Sequence, residues 1–160
     1  MYKLLSKIWK LLGKKTQWFA AWLIHAKFSV GVSLVIPSED GRVLLGKHVF
    51  SGNKPWRLIG GYMNRGEHVF DAAKREAKEE LGIDIVPMRI IRIRSGFRYR
   101  VEFTVVTELV PADTGLKIDH GELHEVGWFA AGNEPEGTLS SHLETLRVYR
   151  EGGEVVVENL

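Results

Sequence analysis

The sequence predicts an α/β (α+β) domain in which strands and helices alternate along the chain, preceded by an N-terminal helical extension. Short segments with the two-residue alternation of strands recur between turn signals. One segment after residue 68 instead has the 3.6-residue periodicity of an amphipathic helix. The 160 residues are 44% hydrophobic and 26% charged, as in globular domains. We therefore expect one domain over residues 28–160 and an extension over residues 1–27.

The extension is basic and has a helical pattern. Residues 1–27 contain six lysines and no acid, whereas all 20 acids of the chain lie beyond them. The spacing of four lysines forms a single helical stripe: Lys3, Lys7, Lys10 and Lys14. Gly13 is expected to end or bend this first helix, and a second apolar run follows over residues 18–26. A basic extension on an acidic body indicates two separate tasks.

Three roles are open for residues 1–27: packing on the domain, contact with a second subunit in a homodimer, or peripheral binding to anionic lipid as an interfacial helix. Neither apolar segment reaches the ~18 residues of a membrane-spanning helix. A signal peptide fits poorly, because the basic residues are scattered and no clear cleavage site follows. The chain has no cysteine, which excludes disulfides and thiol catalysis and suits a cytoplasmic protein.

The remaining elements are predicted in chain order. Strands are expected over residues 28–36, 42–47, 56–59, 83–94, 97–109, 125–130 and 155–157. The turn Ser38-Glu39-Asp40-Gly41 joins the first two strands. A final helix is expected to run to Tyr149 from a cap at Ser140 or Ser141.

The amphipathic helix contains an unusual set of acids. Glu76, Glu79 and Glu80 have the i, i+3, i+4 spacing that brings side chains together on a helix. At about 100° per residue, Glu80 falls within the apolar stripe, Glu76 lies at its border and Glu79 flanks Glu76. Carboxylates turned toward a protein body are costly unless they are paired or bind metal. The pattern leaves two interpretations open, a salt-bridged surface helix and a site for a divalent cation with oxygen ligands.

The segment from Gly61 to Ile83 resembles the Nudix box, G-x5-E-x7-R-E-U-x-E-E-x-G-U, in which U is a bulky aliphatic residue. Every fixed position is filled, and the first U is a small residue, Ala77. The matching residues are Gly61, Glu67, Arg75, Glu76, Glu79, Glu80, Gly82 and Ile83. The preceding residues 56–61 resemble the W-x-L-P-G-G lead-in of the family, with Ile59 in place of the proline.

The resemblance implies an α/β/α sandwich around a mixed sheet, and a site for Mg²⁺ or Mn²⁺. It implies that Glu76, Glu79 and Glu80 are helix ligands, with the Gly60 carbonyl as a further ligand. Glu76 is also a candidate general base. Arg75 would orient the neighbouring acids, and Glu67 would brace the loop and contribute to the metal site. A further acid from a later loop is expected at Glu122, with Glu125 as its competitor.

Substrate contacts are less clearly indicated. Strand alternation puts Arg98, Arg100 and Glu102 on one face of the strand after the box, with Tyr99 on the other face. The arginines form either an exposed charge ladder or a phosphate clamp. Tyr99 and Trp56 are candidate substrate contacts, Trp56 by stacking on a base.

The function implied is hydrolysis of a nucleoside diphosphate linked to another moiety: a nucleoside triphosphate, ADP-ribose or a nucleotide sugar, or a dinucleoside polyphosphate. The alternative is a catalytically silent module that binds a nucleotide metabolite as a sensor or scaffold. Such a module is expected to have a damaged box, whereas this box is intact. No specific nucleic-acid binding is predicted. The related isopentenyl diphosphate isomerases rely on a catalytic cysteine, which this chain lacks.

Overall fold

The computed structural model describes residues 6, 9–25, 27–96, 99–152 and 155–159. Strands and helices alternate along these residues, as the sequence predicts. The elements are α1 Lys14–Ile24, β1 Ser29–Val35, β2 Val43–His48, β3 Trp56–Arg57, β4 Ile59–Tyr62, α2 Val69–Leu81, β5 Pro87–Ser95, β6 Arg100–Thr107, β7 Leu123–Phe129, α3 Ser140–Arg150 and β8 Val156–Asn159.

The strands form two sheets. The larger sheet has the order β4-β1-β6-β5-β8 and is mixed, because β1 runs antiparallel to β4 but parallel to β6. The smaller sheet has the order β3-β2-β7 and is antiparallel. The mixed sheet is confirmed, and the separate three-stranded sheet is an addition to the prediction.

The core lies on both faces of the larger sheet. Val32 and Leu34 of β1 join one buried cluster with Leu81 of α2, whereas Val35 joins a second cluster with Leu146 of α3. Successive strand residues point to opposite faces, so β1 is covered by α2 on one face and by α3 on the other. The predicted α/β/α arrangement is therefore confirmed.

Some strand ends differ from the prediction. β5 begins at Pro87 rather than residue 83, because the helix ends at Gly82 with φ 71° and the chain then packs Ile83 and Ile85 into the core as a loop. β6 begins at Arg100, because Tyr99 has a positive φ of 56° that is incompatible with an extended strand. The strand predicted over residues 56–59 is divided between β3 and β4, which lie in different sheets.

The start of α3 also differs. The predicted cap at Ser140 or Ser141 is wrong: Leu139 occupies the cap position, and no side chain caps the helix. The backbone N–H of Leu139 instead donates to the carbonyl of Trp56, which ties the helix start to β3. The Ser140 hydroxyl accepts a hydrogen bond from the Lys54 ammonium at 2.9 Å.

Gly13 separates two helical segments, as expected. Its extended conformation, with ψ 151°, sits between the helical residues 9–11 and the first residue of α1. Within the described part of the chain, no helix has the length and apolar character needed to cross a membrane. Lys3 and Lys7 of the predicted lysine stripe lie outside the described residues.

Candidate active site

Helix α2 carries the acids of the predicted site and turns two of them inward. Its buried face is made of small and aliphatic residues, among them Ala73, Ala77 and Leu81. Glu76 and Glu80 lie on the same side, with only 5% and 1% of their surface exposed. The inward direction predicted from the helical spacing is confirmed, and the surface-helix interpretation does not apply to these two acids.

Arg75 ties the acids together. Its guanidinium donates to Glu67 at 2.8 and 3.0 Å, to Glu76 at 2.7 Å and to Glu79 at 2.8 Å. It also donates to the carbonyl of Tyr62 at 2.9 Å. These hydrogen bonds lower the pKa of the Glu67 carboxyl and raise that of Arg75. Arg75 therefore fixes the orientation of three carboxylates at once.

Glu67 acts in this network as a brace. One of its oxygens accepts from Arg75, and the other accepts from both Arg75 and the backbone N–H of Asn64 at 2.7 Å. Both oxygens therefore already have donors that hold the loop before α2. This arrangement matches the bracing role implied for Glu67 and leaves its contribution to a metal site as a prediction.

Glu80 has an unpartnered oxygen inside the protein. One carboxylate oxygen accepts from the Gly60 N–H at 3.2 Å, whereas the other, also buried, has no hydrogen-bond partner among the described residues. Burial, followed by the charge of Glu76, raises the Glu80 pKa to about 8. Burial also raises the pKa of Glu76, against the opposing effect of Arg75. A buried, unpartnered carboxylate oxygen fits a site for a hard divalent cation.

The acids do not form a ready-made ligand sphere. Among the described residues, no three His, Asp or Glu side chains are arranged to hold one metal ion. Arg75 explains part of this, because it engages an oxygen of Glu76 and an oxygen of Glu79. The fit to a cation therefore rests on the chemistry of Glu80 and on its inward-facing neighbours.

Two adjacent glycines let the main chain approach this helix closely. Gly60 has φ 144°, and a Cβ at this position would lie 2.1 Å from the carbonyl oxygen of Val32. A Cβ on Gly61 would lie 2.6 Å from a carboxylate oxygen of Glu76. Larger residues would therefore displace either β1 or the acid, which explains the Gly-Gly pair at the start of the motif.

A cleft of about 730 Å³ opens beside these glycines. Three arginines from three strands line it: Arg57 of β3, Arg94 of β5 and Arg100 of β6. Arg100 thus lies where the prediction placed a substrate contact, but Arg98 lies outside the described residues. The cleft is therefore lined by arginines on one part of its wall and by the two glycines of β4, which contact Glu76 and Glu80, on another.

The same cleft contains three ionisable side chains to which the sequence assigned no site role. The His142 Nδ1 accepts from the Leu58 N–H at 2.8 Å, and its Nε2 lies 3.8 Å from Glu102, which pairs with Arg100 at 3.0 Å. Burial, then the positive charge of Arg57, lowers the pKa of His142 to about 3. The same two causes lower the pKa of His48 to about 4. Both imidazoles are therefore neutral at pH 7.

The structure separates the two candidates for the later acid. Glu122 lines the cleft, and its charge contributes to raising the pKa values of Glu76 and Glu80. Glu125 lies on β7 and forms an ion pair with Lys47 at 3.6 Å. The position of Glu122 therefore agrees with the site role expected for it.

Two predicted substrate contacts are placed elsewhere. Trp56 is 8% exposed, belongs to the core cluster beneath α3 and packs edge-on against Phe129 with centroids 5.2 Å apart. Tyr99 is exposed but packs edge-on against Phe28, and it is not among the residues that line the cleft. The burial of Trp56 in this cluster contradicts the expectation that it stacks on a base, and Tyr99 lies outside the cleft in this arrangement.

Solved structures share this fold. A NUDIX hydrolase from Nitrosomonas europaea superposes with a TM-score of 0.73 at 21% identity, covering 85% of this chain and 80% of that one. A MutT protein from Methanosarcina mazei gives a TM-score of 0.62 at 25% identity, covering 82% and 99%. A UDP-X diphosphatase matches 97% of this chain and 81% of its own at 18% identity, with a TM-score of 0.62. Similarity at such low identity shows the fold alone.

Curated proteins match over part of their length. An NAD-capped RNA hydrolase, NudC, from Vibrio atlanticus is 27% identical over 115 residues, which are 69% of this chain and 42% of that protein. An RNA pyrophosphohydrolase from Teredinibacter turnerae is 29% identical over 91 residues, which are 56% and 53%. This chain thus spans about half the length of such relatives. The NUDIX domain family model matches residues 27–145. The chain belongs to the NUDIX family.

Proposed function

We propose that this protein is a divalent-metal-dependent pyrophosphohydrolase that cleaves a nucleoside diphosphate linked to another moiety. One observation carries the proposal. Glu80 accepts from the Gly60 N–H with one oxygen, while its other oxygen is buried without a partner among the described residues. Gly60 in turn lines the cleft that also contains three arginines. Carboxylates suit a cation and arginines suit phosphate oxygens. A pyrophosphate with bound metal satisfies both.

The proposed metal is Mg²⁺ or Mn²⁺, held by Glu76, Glu79 and Glu80 with the carbonyl of Gly60. When bound, such an ion neutralises phosphate charge and acidifies a coordinated water. Arg75 positions two of the residues that would hold it, because its hydrogen bonds reach Glu76 and Glu79. Removing that arginine would free both carboxylates.

The proton of the attacking water needs an acceptor near the cleft. We assign this step to Glu76 or Glu122. The charges of both carboxylates raise the pKa of the buried Glu80, and Glu122 lines the cleft. Arg75 holds one Glu76 oxygen at 2.7 Å, so the orientation of Glu76 is fixed. Glu122 comes from the loop before β7 and is not among the carboxylates to which Arg75 donates.

The arginine lining is proposed to bind the phosphate that is not attacked. Burial lowers the pKa of Arg57, but its ordinary value is so high that it stays charged. Arg100 is held against Glu102 at 3.0 Å, which orients its guanidinium. The neutral imidazoles of His48 and His142 line the cleft without adding charge to it.

The substrate class is tested by a hydrolysis panel. It should contain a nucleoside triphosphate, ADP-ribose, a nucleotide sugar and a dinucleoside polyphosphate, each with Mg²⁺ or Mn²⁺. NAD-capped RNA belongs in the panel because the name of one relative carries that activity. We add 5′-triphosphorylated RNA as an RNA with phosphoanhydride bonds, because another relative is named an RNA pyrophosphohydrolase. We expect hydrolysis of at least one phosphoanhydride substrate.

The panel is repeated with two variants. Glu122→Gln is the test variant, because it changes the cleft, and Glu125→Gln is its control, because it changes an exposed ion pair. Hydrolysis that requires metal and is reduced only by the first variant supports the proposal. If every substrate binds but none is cleaved with either metal, the protein is instead a silent nucleotide-binding module.

A further inference from the structure

Helix α1 exposes large apolar side chains and buries none. Trp18, Phe19, Trp22 and Leu23 are each more than half exposed, and no residue of the helix is buried. Contiguous exposed apolar surface of this kind usually marks a binding site. Packing of this helix on the domain, one of the three roles open for the extension, would therefore leave these four side chains largely exposed.

Four of the large exposed apolar side chains share one side of the helix, whereas the exposed Ile24 lies on the other side. At about 100° per residue, Trp18, Trp22, Phe19 and Leu23 fall within an arc of about 140°. The half-buried residues Gln17, Ala20 and Ala21 fall on the opposite side. The helix therefore exposes two tryptophans, a phenylalanine and a leucine on one side, where Trp18, Phe19 and Trp22 line a pocket together with the basic residue Arg65.

Positive charge accompanies this apolar face. Lys14 and Lys15 begin the helix and are exposed, and Lys15 falls within the arc of the aromatic residues. After the helix, the ammonium of Lys27 lies 4.5 Å from the ring of Trp22. The first acid in the chain is Glu39, so no carboxylate in the extension opposes these charges.

The positive charge of the extension indicates which partner binds the exposed face of α1. A second copy of the chain would bring lysine-rich, acid-free faces together across a two-fold contact, which is electrostatically unfavourable. An anionic lipid surface complements the lysines and accepts tryptophan side chains at its headgroup level. Such a helix lies along the membrane plane, in accord with the absence of a spanning helix among the described residues.

We propose that α1 docks the protein on anionic membranes, with Trp18, Phe19, Trp22 and Leu23 inserted among the headgroups and lysines contacting lipid phosphates. The acid excess of residues 28–160 favours an orientation in which only the extension meets the surface. This surface is independent of the hydrolase cleft and goes beyond the proposed function.

The test is sedimentation of the full 160-residue chain with phosphatidylcholine vesicles, with and without phosphatidylserine. We expect binding to the anionic vesicles only, with release in high salt because surface charge is screened. Lys14→Ala/Lys15→Ala should weaken binding about 25-fold, at about fivefold per lysine. Trp18→Ala/Trp22→Ala should weaken it by roughly tenfold or more.

Matched controls come from exposed residues outside the extension. Lys74→Ala removes an exposed lysine of α2, and Leu109→Ala removes an exposed apolar side chain, so neither should change vesicle binding. Circular dichroism and thermal unfolding check that each variant is folded.

Three outcomes would overturn the proposal. The first is equal binding to neutral and anionic vesicles, and the second is no binding to either. The third is a dimer in analytical ultracentrifugation that Trp18→Ala/Trp22→Ala dissociates, without vesicle binding, which would assign the face to a second copy. None of these measurements depends on hydrolysis, so they are separate from the test of the proposed function.

Discussion

Replacing Glu80 by glutamine is expected to stabilise the metal-free fold at neutral to alkaline pH while weakening the metal site. Burial and the charge of Glu76 raise the Glu80 pKa to about 8. Glutamine keeps an oxygen that can accept from the Gly60 N–H, but it carries no charge at any pH. The variant therefore removes one costly ionisation and one proposed metal ligand together.

The direction of the pH effect follows from the two pKa values. The folded-state value, about 8, lies above the ordinary value of 4.5 expected in the unfolded chain. Between them the folded protein holds a proton that the unfolded chain lacks, so the free energy of unfolding falls as pH rises. At about 1.4 kcal/mol per pH unit, wild type should lose up to about 3 kcal/mol relative to the variant between about pH 5.5 and about pH 7.5.

Urea unfolding in excess chelator across this pH range measures the effect as the difference between wild type and Glu80→Gln. Glu125→Gln is the control, because Glu125 is exposed and its replacement leaves the buried acids of α2 in place. Adding Mg²⁺ should stabilise wild type but not the Glu80 variant. Parallel stability curves for wild type and Glu80→Gln would refute the inference that Glu80 is held protonated by burial.

Three further substitutions test the rest of the site. Glu122→Gln should lower turnover more than Glu125→Gln, measured as kcat, and the reverse order would move the role to Glu125. Gly61→Ala should lower kcat by about 10²-fold, because its Cβ would lie 2.6 Å from a Glu76 oxygen; unchanged turnover would show that the Glu76 position is not critical. Arg75→Lys should lower metal affinity or rate about 10- to 100-fold, since lysine cannot hold three carboxylates in a planar fork; metal titration and kinetics measure it, and a wild-type result would limit Arg75 to a structural role.

The sequence was most informative where the repeat of a single helix or strand determines the side on which a side chain lies. Helical spacing alone placed Glu76 and Glu80 on the inward side of α2, and their burial follows from that geometry. Strand alternation likewise placed Arg100 and Glu102 on one face of β6, where they pair. Such predictions depend only on the geometry of a single element.

The sequence was uninformative where separate elements meet. His48, Arg57, Glu102 and His142 come from β2, β3, β6 and α3, and only the tertiary fold brings them to one cleft. Their spacing in the chain forms no motif, so no local signal identified the four as members of one site. Trp56 is a residue that the sequence assigned to the site wrongly. Its position beside the box suggested contact with a base, but it is buried in the core cluster that includes Leu146 of α3.

The most direct test of the metal site is a Mn²⁺ titration of wild type and Glu80→Gln, followed by electron paramagnetic resonance of the free ion. With Glu80 as a ligand, we expect the variant to bind Mn²⁺ about 10- to 100-fold more weakly, the scale of losing one supporting group at a metal site. Glu125→Gln should bind as wild type does. Equal Mn²⁺ affinity in wild type and Glu80→Gln would contradict the assignment of the buried Glu80 oxygen to a divalent cation.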